Sequence, residues 1–331
     1  MYVALAEVED ASASELAARA GIAERYAREW LEQQAVAGLL DVTGGDDAAT
    51  RRFRLPPEVA EVMTDAESPN LLGPVAGLVA GICQALPAVV EAFRTGGGVP
   101  FADYGPDLRQ GIARLNRPMF HHQLAAEWIP ALPDIQARLQ ASDPPARVAD
   151  LGCGTGWSSI ELARAFPHAR VDGIDLDEAS VAEARRNAAD VGVADRVTFS
   201  CREAADPALA GRYDLVMLFE TLHDMAHPVE VLAAARGMLA EGGAVLVGDE
   251  RVAEQFTAPG DDIERFNYGW SAVHCLAAAL VEPGAAGTGT VIRPDTVRRY
   301  AAGAGLSSSV LPVEHDFWRF YRLDPTAPGT A

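Results

Sequence analysis

The chain has 331 residues, of which 49% are hydrophobic and 22% are charged, a globular composition unlike that of a disordered chain. Twenty-seven basic and 47 acidic residues give a net charge of −20, which disfavours nucleic acid and anionic membranes as partners. All the basic residues are arginine, which excludes Schiff-base chemistry on lysine and a Walker-type phosphate lysine.

The cysteine pattern and the apolar segments predict a cytoplasmic protein that does not cross a membrane. The four cysteines are far apart and show neither disulfide-scaffold nor zinc-finger spacing, so reduced thiols are expected. The first ten residues carry acidic side chains and lack the basic start of a signal peptide. Residues 71–90 contain no charge, but Pro74, Pro87 and many small residues favour a buried helical segment over a membrane span.

Residues 1–66 predict a winged-helix-like domain. Ser14 is expected to cap a helix over 15–20 that ends at Gly21, and a second helix follows over 23–34. Strands at 39–42 and 51–55 then flank a glycine-aspartate turn. Residues 1–65 hold six arginines and thirteen acidic residues, a net charge of −7, whereas a DNA-groove reader needs a basic surface. This domain is therefore predicted to pack or dimerise, not to bind nucleic acid.

Residues 67–142 predict a helical linker, and residues 143–331 predict an α/β domain. In the second part, strands at 148–151, 171–176, 197–201, 214–219 and 244–248 alternate with helices at 159–165, 178–191 and 229–239. Two last strands, at 309–313 and 317–323, predict an antiparallel hairpin. This alternation indicates a doubly wound parallel sheet with helices on both faces. Ligands of such sheets bind beyond the carboxyl ends of the strands.

A glycine turn joins the first predicted strand to the helix after it. Asp150 precedes glycines at 152, 154 and 156, a spacing that differs from the GxGxxG dinucleotide motif. An aspartate at this turn repels a pyrophosphate but suits a ligand with an ammonium group. Asp175 ends the second strand, where a carboxylate can accept both ribose hydroxyls, and Glu203 follows the third strand, within reach of an adenine edge.

These motifs resemble the class I S-adenosylmethionine-dependent methyltransferases, and the N-terminal half is similar to small-molecule methyltransferases, including O-methyltransferases, whose helical domain dimerises and roofs the active site. The resemblance implies a seven-stranded Rossmann-like sheet, S-adenosylmethionine as cofactor, a small-molecule methyl acceptor and a homodimer. In those proteins another helix usually precedes the winged helix, and whether one is missing before Met1 stays open. The implied cofactor residues are Asp150, Gly152, Cys153, Gly154, Gly156, Asp175, Leu176, Glu203, Ala204, Phe219 and Glu220.

The resemblance also implies a general base. Many natural-product O-methyltransferases carry Leu-His-Asp-Trp after the fourth strand, and the histidine is the base in the plant phenolic enzymes. Here the segment reads Leu222-His223-Asp224-Met225, so His223 is the predicted catalytic residue, with a structural or cofactor-lid role as the alternative. Imidazole suits this task because its pKa is close to neutral pH. Asp224 or Glu220 is expected to orient His223 or to hold the amino group of the cofactor.

Two aromatic segments, at 101–106 and 266–270, are expected to line the acceptor pocket through Tyr104, Tyr268, Trp270 and His274. No HxxxH or HExxH motif occurs, so the sequence predicts no metal. Two other functions stay open: a winged-helix transcription regulator that senses a nucleoside, and a methyltransferase-like fold that catalyses a different reaction assisted by S-adenosylmethionine.

Overall fold

The computed structural model describes residues 1–203, 206–209 and 212–326. The chain separates into two compact units, Met1–Ala76 and Gly77–Ala331. Most of the predicted linker, residues 67–142, therefore belongs to the same compact unit as the predicted α/β domain.

The first unit is a small helical domain with a three-stranded antiparallel sheet, as in a winged helix. Its core contains Leu5, Leu16, Leu31 and Phe53, each at most 2% exposed. The strands pair in the order β1-β3-β2. The elements are α1 (Tyr2–Ala6), β1 (Ala11–Ser12), α2 (Ala13–Ala20), α3 (Glu24–Val36), β2 (Asp41–Gly44), β3 (Arg52–Arg54) and α4 (Pro57–Thr64).

The cap of α2 differs from the prediction. Ser12, and not Ser14, precedes the helix in extended conformation, and its hydroxyl accepts a hydrogen bond from the Glu15 N–H. The Glu15 carboxylate in turn accepts the Ser12 N–H at 2.8 Å, which completes a capping box. Ser14 lies inside the first turn, because the helix begins two residues earlier than expected. The predicted end is confirmed: Gly21 adopts a left-handed conformation after Ala20.

Helices dominate the chain between the winged helix and the sheet. They are α5 (Val75–Thr95), α6 (Gly105–Met119), a π-helical segment (Phe120–Trp128) and α7 (Pro133–Gln140). By length and composition α5 is long and apolar enough to cross a membrane, and 33% of its most apolar stretch is buried. Leu78 and Ile82 are buried, but Val79 and Phe93 are at least half exposed. The predicted buried segment is thus buried on one face only.

The second unit is built around a seven-stranded sheet of order β6-β5-β4-β7-β8-β10-β9, which confirms the predicted fold class. The first five strands in this order are parallel, and β10 pairs antiparallel with both β8 and β9. The strands are β4 (Arg147–Leu151), β5 (Arg170–Asp175), β6 (Val197–Cys201), β7 (Tyr213–Phe219), β8 (Leu239–Glu250), β9 (Leu306–Val310) and β10 (Trp318–Pro325).

Hydrophobic layers cover both faces of this sheet. Along β7, Leu215 and Met217 pack into one core, while Val216 and Leu218 pack into the other, as the alternation of side chains in a strand requires. The chain order reverses between β4 and β7, and such a switch point opens a crevice at the carboxyl ends of the strands. The flanking helices are α8 (Trp157–Ala165), α9 (Glu178–Val191), α10 (Pro228–Met238), α11 (Asp262–Val273), α12 (Cys275–Ala279) and α13 (Pro294–Gly303).

Candidate active site

The glycine turn after β4 lies at the switch point and leaves free space above its backbone. Gly156 has a φ of 84°, and a Cβ there would lie 2.5 Å from the Phe199 ring, so the start of α8 packs too closely for a side chain. At Gly154, by contrast, φ is 51° and a Cβ would meet nothing within 4 Å. The turn therefore offers an open backbone surface that a ligand can approach closely, which fits the predicted cofactor.

Asp150, the acidic residue before the turn, is buried at the end of β4. Its Oδ2 accepts hydrogen bonds from the hydroxyls of Ser158 at 2.5 Å and Ser159 at 2.7 Å. Burial raises the pKa of Asp150 to about 6, although the two hydroxyl donors oppose the shift. Asp150 thus ties the glycine turn to the first turn of α8, and its contact with an ammonium group stays a prediction.

Asp175 lies directly beside the glycine turn, as its position at the end of β5 predicts. One carboxylate oxygen accepts the Gly154 N–H and the other accepts the Asp177 N–H, both at 2.8 Å. Burial raises the pKa of Asp175. Leu176, the next residue, is 59% exposed, and Glu203 is exposed after β6. The predicted contact at Ala204 lies outside the described residues.

The side chain of Phe219, at the end of β7, packs inside an aromatic cluster. Its ring is 6% exposed and stacks on Trp318, with 6.1 Å between the ring centroids. Phe120 and Trp128 also contact this ring. Through Phe219 the cluster fixes the position of the next residue, Glu220, at the carboxyl edge of the sheet.

Glu220 is the one non-glycine residue with positive φ (51°) in the described part of the chain. A left-handed conformation of this kind costs about 1–3 kcal/mol and is common at functional sites. The Glu220 carboxylate accepts hydrogen bonds from the amide of Asn116 and from the indole of Trp318. It also contacts Glu250, and burial raises the pKa of both carboxyl groups, with the negative charge of Glu220 adding to the shift at Glu250. Both carboxyl groups therefore hold their protons to a higher pH than free carboxyl groups do.

His223 is 2% exposed and lies between two carboxylates. Its Nδ1 is 2.6 Å from Oδ1 of Asp249, and its Nε2 is 3.3 Å from Oδ1 of Asp224. Burial lowers the pKa of His223, but the charges of Asp249 and Asp224 outweigh burial and raise it well above the ordinary value. Burial raises the pKa of Asp224 to about 6.

Asp249 is the functional candidate that the sequence analysis missed. The predicted fifth strand ended at Gly248, whereas β8 continues to Glu250. Phe219 and Gly248 are register partners in the parallel pair β7 and β8, so the residues after them lie side by side. The sequence signal that could have indicated Asp249 is the pair of acidic residues, Asp249 and Glu250, directly after the apolar strand predicted at 244–248.

The predicted acceptor residues fall into two places. Tyr104 is fully buried, and its hydroxyl lies 3.3 Å from the carbonyl of Val273, while its ring meets the ring of His274 edge-on at 4.6 Å. Trp270 also meets His274 edge-on, at 6.2 Å. Tyr268 does not join them: it is 44% exposed, and its hydroxyl accepts a hydrogen bond from Arg293.

Several buried polar atoms near these elements lack a hydrogen-bond partner among the described residues. A buried polar group without a partner costs about 1–3 kcal/mol, and such groups are usually satisfied by water or by a ligand. These atoms are candidates to contact a polar ligand. They are Oδ1 of Asp224, Oδ2 of Asp249, Nδ2 of Asn267, Nε2 of His274 and Oγ1 of Thr290.

Two parts of the chain match known families. Residues 142–282 match the family described as a methyltransferase domain, and residues 1–65 match the Rv2258c-like winged HTH domain. The malonyl-[acyl-carrier protein] O-methyltransferase of Halalkalibacterium halodurans is 27% identical over 142 residues, which cover 42% of this chain and 49% of that protein. The chain thus spans about half of the length of this curated relative.

Solved structures share the fold over nearly the whole chain. The mitomycin 7-O-methyltransferase MmcR superposes with a TM-score of 0.69 at 20% identity, and the match covers 96% of this chain and 88% of that one. Human N-acetylserotonin methyltransferase, in complex with S-adenosylmethionine, gives a TM-score of 0.69 at 16% identity over 98% and 90% of the two chains. Identities this low show a common fold and leave the acceptor open.

Proposed function

We propose that this chain, which joins a methyltransferase domain to an N-terminal winged helix domain, transfers a methyl group from S-adenosylmethionine to a small-molecule acceptor. An oxygen acceptor is favoured, with nitrogen or sulfur as alternatives, in a pathway of secondary metabolism. The observation that carries this proposal is the His223–Asp249 pair, which lies at the same strand ends as the glycine turn and Asp175.

The cofactor is proposed to lie against the glycine turn. Gly154 leaves its backbone open, and Asp175 is beside it to accept the ribose hydroxyls. The carboxyl groups of Asp150 and Glu220 are proposed to bind the amino group of the cofactor, whose positive charge would oppose the effect of burial on their pKa. When bound, S-adenosylmethionine supplies a methyl group on a sulfonium centre. The protein contributes chiefly by holding the acceptor in line with that methyl group, since correct orientation alone removes much of the barrier.

His223 is proposed to accept the proton of the acceptor. A hydrogen bond from Nδ1–H to Asp249 directs Nε2 away from this carboxylate and fixes the ring orientation. Asp249 is thus a positioning residue, and Nε2 is the atom that takes the proton. Since neighbouring charges stabilise the imidazolium, the base form requires a pH above the raised pKa of His223.

Tyr104, Trp270 and His274 are proposed to line the acceptor side, because the fold brings their rings together. Tyr268, on the same helix, α11, is proposed to contact the acceptor from its exposed position. Aromatic rings with a few buried polar atoms beside them suit a small molecule with an aromatic ring and a hydroxyl group.

The winged helix is not proposed to bind DNA. Every arginine of residues 1–65 has an acidic partner, so no cationic surface is left for a phosphate backbone. This pairing disfavours the transcription-regulator alternative. Separately, we propose the cytoplasm as the location of the protein. The pairs are Arg19–Glu7, Arg25–Glu29, Arg28–Glu24, Arg51–Glu32, Arg52–Asp10 and Arg54–Asp41.

A homodimer is proposed, and α5 offers a surface for it. Val79, Leu86, Val90 and Phe93 are spaced by seven, four and three residues, which places them on one face of the helix. They are 42–69% exposed. An apolar stripe of this kind on a helix indicates a surface that binds another protein.

The deciding experiment follows a labelled methyl group. The purified chain is incubated with methyl-labelled S-adenosylmethionine and a panel of phenols, aromatic amines and aryl thiols. We expect label in a phenol together with S-adenosylhomocysteine. If the cofactor binds but the label stays on it with every acceptor, while an acceptor is rearranged or decarboxylated, the non-methylating alternative replaces this proposal.

A further inference from the structure

The fold brings three different side chains that can bind a metal together at the carboxyl end of β7. His223 and Asp224 follow β7, and Cys275 begins α12. One potential ligand atom from each residue lies within 4.8 Å of the other two. We propose that His223, Asp224 and Cys275 form a binding site for a single Zn²⁺ ion, and that the ion, when bound, prevents His223 from accepting a proton. The second half of this inference rests on the proposed function.

The chemistry of the three side chains matches zinc. Imidazole nitrogen, thiolate sulfur and carboxylate oxygen are its usual protein ligands, and sites with three protein ligands leave a fourth position open. Ligand atoms in a tetrahedral site lie about 3–4 Å apart, so closure from 4.8 Å requires movements of about 1 Å. His223 and Cys275 are buried, whereas the Asp224 side chain is 27% exposed and marks the open side.

The surroundings of His223 are those of a metal-bound histidine. A ligating histidine almost always donates its other ring N–H to a carboxylate or carbonyl. Here Nδ1 lies 2.6 Å from Oδ1 of Asp249, which leaves Nε2 as the nitrogen that faces Asp224. Asp249 therefore already takes the place of the outer carboxylate in a carboxylate–histidine–zinc arrangement.

Asp224 supplies a second, independent observation. Its Oδ1 is buried, and in the described part of the chain it has no hydrogen-bond partner apart from the side chains of the proposed site, His223 and Cys275. This oxygen lies on the Nε2 side of His223, at 3.3 Å. An ion between Nε2, this oxygen and the sulfur of Cys275 would satisfy the oxygen, and it would occupy the lone pair that a general base needs.

The sequence did not indicate this site, because Cys275 is 51 residues after Asp224 and no short metal motif connects them. The site exists only because α12 contacts the turn at 222–224. It is therefore a property of the fold and not of local spacing.

Metal binding is tested first, without any methyl transfer. Protein freed of metal with a chelator is titrated with Zn²⁺ by calorimetry and with Co²⁺ by absorption spectroscopy. We expect one Zn²⁺ per chain and a thiolate-to-cobalt charge-transfer band. Cys275→Ser should lose the band, and both Cys275→Ser and Asp224→Asn should bind Zn²⁺ at least about tenfold more weakly. Cys83→Ser is the matched control, since Cys83 is exposed on α5 and should change neither signal.

Each outcome of these titrations decides the matter. Absence of Zn²⁺ binding by the wild type, or an unchanged cobalt band in Cys275→Ser, overturns the site. Thermal melting checks that both variants are folded, and Asp224→Asn gives an answer if Cys275→Ser does not fold. Loss of zinc affinity in either folded variant supports the site.

The inhibitory role is tested separately, in the methyl-transfer assay. We expect transfer by the chelator-treated wild type to fall as Zn²⁺ is added, over the same concentrations as calorimetric binding. The methyl-transfer activity that Cys275→Ser retains should not fall over the Zn²⁺ concentrations that inhibit the wild type. Activation by Zn²⁺ overturns the inhibitory role, whereas absence of transfer in the metal-free wild type contradicts the proposed function and leaves the binding results standing.

Discussion

Oδ1 of Asp249 lies 2.6 Å from Nδ1 of His223, although the two residues are 26 positions apart. They meet because β7 and β8 are parallel neighbours, so that the turn after one strand lies beside the end of the other. The same oxygen accepts the backbone N–H of Glu250, which holds the carboxylate in place. The imidazole orientation is therefore fixed by the sheet itself, in the manner of a histidine oriented by a buried acid.

The first prediction concerns this pair. His223→Ala should lower kcat about 10²–10⁴-fold, the usual range for a positioned proton acceptor. Asp249→Asn should lower kcat about 10–10³-fold, because asparagine neither holds the same tautomer nor stabilises the imidazolium. Steady-state kinetics with the phenol found by label transfer gives both values.

A purely structural role for the pair gives a different result. It would reduce cofactor affinity and thermal stability together with kcat, and Asp249→Glu would not restore activity. We expect instead unchanged binding of S-adenosylhomocysteine in calorimetry and partial rescue by Asp249→Glu. An His223→Ala variant that keeps most of its kcat contradicts the base and agrees with an acceptor that needs no deprotonation, such as a neutral amine.

The sequence predicted the sheet better than it predicted the site. Strand and helix periodicity located α9 and β6 with the observed bounds, because their apolar positions and the terminal Gly192 are local signals. Asp175 was found in the same way, since its distance from the glycine turn follows from one helix and one strand. The sequence did not predict the contacts of Asp249 and Cys275, or that between Glu250 and Glu220. These contacts depend on which strand ends and helices become neighbours in the fold.

The second prediction tests the ribose contact. Asp175→Ala should weaken S-adenosylhomocysteine binding from several-fold to about a hundredfold, since hydrogen bonds to a charged carboxylate contribute about 1.5–3 kcal/mol. Asp172→Ala is the control on the same strand: its carboxylate accepts hydrogen bonds from Thr198, Arg147 and Tyr213, away from the glycine turn. It should lower stability and leave the affinity unchanged, and equal affinity losses in both variants would contradict the assignment.

The third prediction separates two glycines of the turn. Gly156→Ala should destabilise the protein by about 1–3 kcal/mol, because alanine is strained in the left-handed backbone conformation and its Cβ clashes with the Phe199 ring. Gly154→Ala should cost only the backbone strain, about 1–2 kcal/mol, since its Cβ meets no protein atom. We expect Gly154→Ala to give the larger loss of cofactor affinity, because its Cβ occupies the open space. Equal affinities of Gly154→Ala and wild type would place the cofactor elsewhere.

The fourth prediction concerns assembly. Static light scattering at micromolar concentration should give the mass of a dimer for the wild type. The double variant Val90→Glu/Phe93→Glu should be monomeric, because it places two charges on the exposed apolar face of α5. Thr95→Glu is a control on the same helix, since it lies on the opposite side from that face. A monomeric wild type contradicts the dimer, and a dimeric double variant moves the interface away from α5.

The fifth prediction follows from the buried carboxyl of Asp150. Burial raises its pKa in the folded chain to about 6, against 3.8 for a free aspartate, so the folded protein holds this proton more tightly than the unfolded chain does. The stabilising contribution is therefore fully present below pH 3.8 and is lost as the pH rises to about 6. Asp150→Asn cannot ionise, so the free energy of unfolding of the wild type, relative to this variant, should fall by about 2–3 kcal/mol over that interval. Urea denaturation at several pH values from 4 to 7 measures the difference.

The pH dependence of the contribution of Asp172 has the opposite sign. Its hydrogen bonds outweigh burial and lower its pKa, so its contribution to the free energy of unfolding is lost as the pH falls through the acidic range. If the free energies of unfolding of wild type and Asp150→Asn change with pH in the same way, the Asp150 prediction is wrong. The Ser158 and Ser159 hydroxyls would then keep the carboxylate ionised, and Asp150 would carry a full negative charge in the site.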